Sequence, residues 1–175
     1  VTQQRSKFKI PMMNEVFPKF PSEEDTHPLE FDSSVLLDSL KKILPVVDTN
    51  NPKYELNGAS VQLRDGSIYF GATNTQRLAV VSFTNNTEHM FSIIIPRRAI
   101  VEIQKLFTED LKIFVSHSHM IIKSENFFFF TKLVGGKFPE YFRIIPASIE
   151  STLEINKSAM IENVKQVVTM SSDFT

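Results

Sequence analysis

The sequence predicts an α+β chain made of duplicated strand-helix-strand-strand-strand units, with antiparallel sheets and two helices on one side. Three observations predict it. A pattern recurs along the chain at a period of about sixty residues, too long for ordinary solenoids, so each copy reads as half a domain. Each copy passes from a short apolar run straight into a segment whose apolar residues recur at three and four. Alternating runs separated by turn residues follow the first two copies.

Residues 5–10 (RSKFKI) alternate polar and apolar side chains, as in the last strand of a unit begun upstream. With Val as first residue, the chain reads as an excised fragment. Residues 11–27 are bounded and broken by Pro11, Pro18, Pro21 and Pro28 and carry Glu23, Glu24 and Asp25, the composition of a linker. A packed domain is expected to open near Pro28.

The first copy, LEFDSSVLLDSLKKILPVV, begins at Leu29, the second, SIIIPRRAIVEIQKLF, at Ser92, and the third, LEINKSAMIENVKQVV, at Leu153. An offset of 63 sets Leu37, Leu40, Ile43 and Leu44 on Ile100, Ile103, Leu106 and Phe107. An offset of 124 sets them on Ile161, Val164, Val167 and Val168. Asp32 or Ser33, Pro96 near the first helical position, and Asn156 are suitable helix openers. After the first helix come YELNGASVQLRDG, SIYFGAT and RLAVVSFT, divided at Asp65-Gly66 and Asn74-Thr75. After the second come LKIFVSHS, HMIIKS and FFFFTKLV, with a turn at Ser124-Glu125-Asn126. Asp-Gly between alternating runs is a hairpin signal. Phe127 to Phe130 read as a strand buried on both sides.

Residues 132–146 (KLVGGKFPEYFRIIP) leave this unit by a stiff route. Gly135-Gly136 frees the backbone for a turn, and Pro139 holds Phe138 extended. So many aromatic and apolar residues do not belong to a flexible linker, and a structured junction is a natural place for a cleft.

Composition excludes several classes. Without cysteine there is no disulfide, thiolate metal site or cysteine nucleophile. No apolar run reaches the length of a membrane span, and the start lacks a signal-peptide core, so a soluble cytoplasmic protein is expected. A net charge of −1 argues against tight, charge-driven nucleic-acid binding, though not against a few local phosphate contacts. The sequence carries no phosphate-binding glycine loop, nucleophile elbow or metalloprotease motif, and no cofactor is expected.

Four segments, YELNGA (54–59), GATNTQRLAVVS (71–82), IIPRRAIVEIQKL (94–106) and FTKLVGGKFPEYFRIIP (130–146), resemble the bacterial sliding clamp, the β subunit of the replicative DNA polymerase, in order and spacing. The resemblance covers nearly the whole chain. It implies the DNA-clamp fold, with residues 1–22 as the tail of a first domain and linker, 23–146 as a complete middle domain, and 147–175 as the truncated start of a third. It further implies a non-catalytic processivity factor whose full-length form is a ring-shaped homodimer around double-stranded DNA. Polymerase, clamp loader and repair proteins would be tethered to it through short peptide motifs.

Two sites follow from the resemblance. A peptide-binding cleft at the border of the middle and third domains is matched by Leu56, Thr73, Thr75, Gln76, Arg77, Leu78, Pro139, Arg143 and Ile144. The apolar members would cover an anchor side chain, and Thr73, Arg77 and Arg143 would supply polar contacts around it. Pro139, Arg143 and Ile144 are expected to form the wall facing 73–78. The family pattern after the threonine is Asp, a small residue, then His, whereas this chain has Asn74, Thr75 and Gln76, so a different motif preference is implied. With much of the third domain missing, weakened peptide binding and a monomeric fragment are expected. DNA-facing candidates are Lys41, Lys42, Arg97, Arg98 and Lys105 on or beside the helices, with Lys53 and Tyr54 on the loop after the first. Few, mobile cations suit a ring that must slide.

Blander readings stand beside these. Lysines and arginines on amphipathic helices are usually just a solvated face. His117 and His119 alternate as if on one strand, but without a carboxylate or cysteine beside them no metal site is expected. Asn85-Asn86-Thr87 spells a glycosylation sequon and nothing more. The segment 153–175 has an apolar helix face without the strands it would cover, leaving disorder or pairing with a second copy as its fates. A generic α+β interaction module is the alternative function, and an unrecognised hydrolase a more distant one.

Overall fold

Two four-stranded antiparallel sheets build the larger of two units, Val1–Phe138; the second unit is Pro139–Thr175. The computed structural model describes residues 2–3, 6–7, 9, 23, 25–29, 32–85, 90–108 and 111–171. The elements of the first unit are β1 (Thr2–Gln3), β2 (Ser6–Lys7), β3 (His27–Leu29), α1 (Ser33–Ile43), β4 (Gly58–Arg64), β5 (Ser67–Thr73) and β6 (Leu78–Thr84). They continue with β7 (Phe91–Pro96), α2 (Arg97–Leu106), β8 (Lys112–Val115), β9 (His119–Lys123) and β10 (Phe128–Lys132). The strand-helix-strand-strand-strand unit therefore occurs twice, at β3 to β6 and at β7 to β10. Of the run 5–10, Ser6–Lys7 is a strand, pairing with β1; most of the proposed linker 11–27, and residues 86–87 of the sequon, lie outside the described residues.

The sheets do not follow the copies. Their strand orders are β6-β5-β4-β7 and β10-β9-β8-β3. Each holds the last three strands of one copy and the first strand of the other, so neither copy closes a four-stranded sheet alone. A further tie runs between the sheets, because the Val134 N–H donates to the Ile94 carbonyl at 2.9 Å as the chain leaves β10.

Both helices start as their sequences dictate. The Asp32 carboxylate accepts from the Ser34 N–H at 2.8 Å and caps α1, while Lys41 and Lys42 sit in its last turn, where positive charge suits the helix dipole. Pro45 allows only a tight helical turn beyond it. Pro96 is the N-cap residue of α2, one position before the first helical residue. Helix α2 is joined to α1 by Gln104 Nε2, which donates to the Leu37 carbonyl at 2.7 Å. Leu36, Leu40, Ile43, Ile100 and Ile103 from the helices meet Val61, Ile68, Phe70, Ile95, Ile113 and Ile122 from the strands in one core. Between the first two copies the repeat columns hold with one exception. Ile43 is fully buried but its counterpart Leu106 is 44% exposed. The reason is that α2 ends at Leu106 and the extended backbone of Phe107 turns that ring into the core instead.

The hairpin β4–β5 closes on Asp65 and Gly66, with φ of 50° and 66°, the left-handed pair of a two-residue turn. At the other end of β4, the backbone of Gly58 runs against β7, leaving no room for a side chain. The turn at Ser124 closes by its N–H donating to the Phe127 carbonyl at 2.9 Å.

The phenylalanine run is not buried on both sides. Strand β10 is the outer strand of its sheet; Phe127 and Phe130 are 43% and 36% exposed, and Phe128 and Phe129 are half-buried. Alternation gives the two faces different neighbours. Phe129 sets its ring edge-on to Phe107, with centroids 6.2 Å apart. Phe130 lies against the His119 ring at 5.4 Å. Phe128 and Phe114 carry the Lys123 ammonium, at 5.4 and 5.6 Å from their centroids, and Lys123 also pairs with Glu23. An edge strand whose second face is covered by single side chains tolerates aromatic residues without a second layer.

The second unit opens on a tight helical turn, Tyr141–Arg143, in which Tyr141 and Phe142 stack at 4.4 Å. Helix α3 (Lys157–Ser171) follows, capped by Asn156 Oδ1, which accepts from the Ala159 N–H at 3.1 Å. The third copy thus forms its helix but not the strand expected before it; residues 151–156 are without regular structure. A strand has no ladder partner there. Ile161, Val164, Val167 and Val168 are 44, 46, 66 and 59% exposed.

Candidate functional site

The turn between β5 and β6 is rigid because its side chains bond its own backbone. Thr73 Oγ1 donates to the Arg77 carbonyl at 2.8 Å and accepts from the Thr75 N–H at 3.1 Å. Asn74 Oδ1 accepts from the N–H groups of Gln76 and Arg77 at 3.3 and 2.8 Å. The Asn74 N–H reaches the Arg77 carbonyl at 3.3 Å. Asparagine is suited to this role because its short amide mimics a backbone turn. Thr75 stands at φ +74°, in the left-handed region that β-branched side chains avoid. Thr73 is buried, Leu78 half-buried, and Thr75, Gln76 and Arg77 are exposed. The structure therefore brings Thr73, Thr75, Gln76, Arg77 and Leu78 together on one turn, a polar rim beside an apolar residue.

Leu56 belongs to the loop after α1 and is 1% exposed. Its carbonyl accepts from the Asp48 N–H at 3.2 Å. Asn51 and Asn57 clamp the loop, Asn57 Oδ1 accepting from the Asn51 N–H and Asn57 Nδ2 donating to the Asn51 carbonyl, both at 2.8 Å. Asn51 Oδ1 accepts from the Lys53 N–H at 3.0 Å. The Asp48 carboxyl is held below its ordinary value by the Asn51 side chain, then by the Thr49 N–H, with the positive charge of Arg77 adding to the effect. Asp48, Asn51 and Asn57 were not singled out from the sequence, whereas Asn74 was, as a turn residue; the signal for the other three was the density of Asp and Asn in 48–57, residues that form side-chain turns.

Pro139, Arg143 and Ile144 lie in the second unit and are all exposed. Arg143 ends the tight helical turn, and the Ile144 N–H donates to the Tyr141 carbonyl at 3.1 Å.

The basic candidates divide. Tyr54 is 76% exposed at the head of the clamped loop. It shares a surface groove of about 780 Å³ with Asn57, Arg97, Arg98, Glu102 and Val134. Arg97 Nη1 donates to the Leu44 carbonyl at 3.4 Å, so this arginine also joins α2 to the end of α1. Lys105 pairs with Glu102 at 3.0 Å and is not a free cation in this conformation. Lys41, Lys42, Lys53 and Arg98 are exposed. A second slot, about 440 Å³ and lined by Leu29, Leu63, Phe91, Ile93 and Val115, contains none of the candidate residues.

His117 and His119 do not share a strand. Strand β8 ends at Val115, His117 lies in the turn, and β9 begins at His119, whose Nδ1 is 2.8 Å from Ser116 Oγ. Among the described residues no group of three or more His, Cys, Asp or Glu side chains is placed to hold a metal ion. No helix there is long and apolar enough to cross a membrane.

Known proteins place this geometry. Residues 30–140 match the family described as DNA polymerase III beta subunit, central domain. The beta sliding clamp of Helicobacter pylori is 32% identical over 98% of this chain and 48% of its own length. That of Halalkalibacterium halodurans is 25% identical over 90% of this chain and 43% of its own. A crystal structure of the Helicobacter pylori beta clamp in complex with 3,4-difluorobenzamide superposes with a TM-score of 0.78 at 32% identity, over 85% of this chain and 42% of that one. The same protein bound to a DNA ligase peptide superposes with a TM-score of 0.72 at 34% identity, over 86% and 44%. The chain spans about half the length of the curated relatives it matches. Duplicated units, exchanged first strands and the match over residues 30–140 have one meaning: the chain belongs to the DNA polymerase III beta subunit family, the bacterial sliding clamps.

Proposed function

We propose that this chain is part of a DNA sliding clamp, a non-catalytic processivity factor of the cytoplasm whose full ring, a homodimer, encircles duplex DNA. In this reading residues 23–146 are the middle domain, 1–22 the tail of the first and 147–175 the start of the third. The ring raises the local concentration of the polymerase and of other replication and repair proteins at the DNA, holding each by a short peptide. Leu56, Thr73, Thr75, Gln76, Arg77 and Leu78 are its peptide contacts. Pro139, Arg143 and Ile144 carry the same role on the strength of the sequence resemblance alone. Lys41, Lys42, Lys53, Tyr54, Arg97, Arg98 and Lys105 face the DNA.

The observation that carries the peptide reading is the turn at 73–78. Five hydrogen bonds fix it, yet three of its side chains are left to solvent. A rigid turn with an exposed rim next to an apolar residue is suited to a short linear motif, because little backbone freedom is lost on binding. The DNA ligase peptide on the Helicobacter pylori clamp supports the same reading.

The test is a calorimetric titration of the chain with that ligase peptide. Saturable binding is expected, weakened by about tenfold or more in Arg77→Ala and in Leu78→Ala, as for residues at the centre of an interface. Absence of binding, or binding that neither substitution changes, would overturn the peptide reading.

A further inference from the structure

Resting on the peptide-binding reading above, we infer that Thr75 determines specificity: its branched side chain is a fixed wall that admits slim aliphatic peptide anchors and turns away bulky ones. The backbone at Thr75 has φ +74°, a conformation that glycine takes freely and a β-branched residue takes last. Nothing about Thr75 itself favours it. The neighbours impose it: Thr73 holds both the Thr75 N–H and the Arg77 carbonyl, and Asn74 holds the N–H groups of Gln76 and Arg77. The Thr75 side chain is exposed, and among the described residues its hydroxyl makes no hydrogen bond. It thus serves neither core nor turn, while its presence strains the backbone. Strain retained without a structural return points to a use at the surface.

The shape of that use follows from the geometry. A left-handed residue in a clamped turn cannot swing aside, so its Cβ stays where the turn sets it, and rotation about χ1 only exchanges the branches around that point. Gln76 and Arg77 on the same turn are long and can yield to a ligand; Thr75 is short and cannot. Among the exposed residues of this rim it alone can exclude by volume.

The experiment compares the wild-type chain with Thr75→Gly and Thr75→Ala. Each is titrated calorimetrically with the ligase peptide and with versions in which each apolar residue is exchanged in turn for Leu or Trp. Wild type should prefer Leu to Trp at the anchor, and both variants should relax that preference by about tenfold, the size of effect a few methyl groups have in an apolar site. Thr75→Gly should also melt roughly 2–4 °C higher, because the strain is gone, while Thr75→Ala, which keeps a Cβ at positive φ, stays near wild type. A preference that moves by less than about twofold in both variants overturns the inference alone. So does a lower melting temperature for Thr75→Gly, which would mean that the side chain serves the fold. If the wild-type chain binds no version of the peptide, the peptide reading fails and the inference falls with it.

Discussion

The Thr73 hydroxyl hydrogen points at the Arg77 carbonyl, 2.8 Å away, and the same oxygen accepts the Thr75 N–H at 3.1 Å. One buried side chain thereby closes a turn whose middle residue is strained. Thr73→Val keeps the volume and removes both bonds. It should cost about 1–2 kcal/mol, the usual range for lost bonds in a largely buried setting. Urea unfolding measures this. In a Thr75→Gly background the same substitution should cost less, since the turn no longer has to be forced, and a double-mutant cycle would reveal the coupling.

Gly58 and Ile94 approach so closely that a Cβ on the glycine would lie 2.7 Å from Ile94 Cγ2 and 2.7 Å from the Ile95 carbonyl oxygen. The second neighbour is backbone and cannot rotate away. Gly58→Ala should therefore part β4 from β7 and destabilise the fold by about 1–3 kcal/mol, as overpacking does. The measurement is a guanidinium midpoint, and no change would show that the strands can separate at little cost.

Phe107 and Leu106 are adjacent, one 3% and the other 44% exposed. Phe107 also meets Phe127 edge-on at 5.5 Å. Phe107→Ala should cost about 3–5 kcal/mol. Leu106→Ala should cost less than Phe107→Ala, about 1 kcal/mol, since nearly half of its surface stays wet in the folded chain. Comparable losses at the two positions would contradict the burial.

Asp32 is capped onto α1 in its charged form, with the Ser34 N–H and then the Ser34 hydroxyl holding its carboxyl below the ordinary aspartate value of 3.8. A folded-state value below the unfolded one means that the stabilisation is present above pH 3.8 and is lost as pH falls through the folded value. Asp32→Ala should therefore be less stable than wild type at neutral pH, and the two should converge in acid. Asp48, lowered mainly by Asn51, should behave in the same direction when replaced by Ala. Denaturant melts across pH would check both, and a constant gap at all pH values would mean that charge is irrelevant to the cap.

Much of the fold is legible in the residues. Apolar spacing at three and four marks α1 and α2, Asp65-Gly66 marks a hairpin, and Asp32 and Asn156 mark helix starts, because each is set by contacts within a few residues. The site is half legible. Thr73 and Leu78 bracket a turn, and the family resemblance points to them. The loop clamp of Asp48, Asn51 and Asn57 is harder to read, since Asn57 bonds six residues back along the chain, beyond the reach of ordinary turn signals. The run Phe127 to Phe130 misleads for a related reason. Hydrophobicity states that a side chain avoids water without saying whether a second layer exists to cover it.

By itself the sequence determined the elements of the first two copies, their duplication and their order, all consequences of local periodicity and of side chains acting on their own backbone. Only the tertiary structure decided that β3 joins β8 and β7 joins β4, so that each copy completes the other's sheet. It also decided that Thr75 stands in a conformation it would not choose. The physical reason is shared. Ladder hydrogen bonds are made by backbone groups common to every residue, so pairing is settled by how the core packs, and a strained dihedral persists only where surrounding bonds outweigh the residue's own preference.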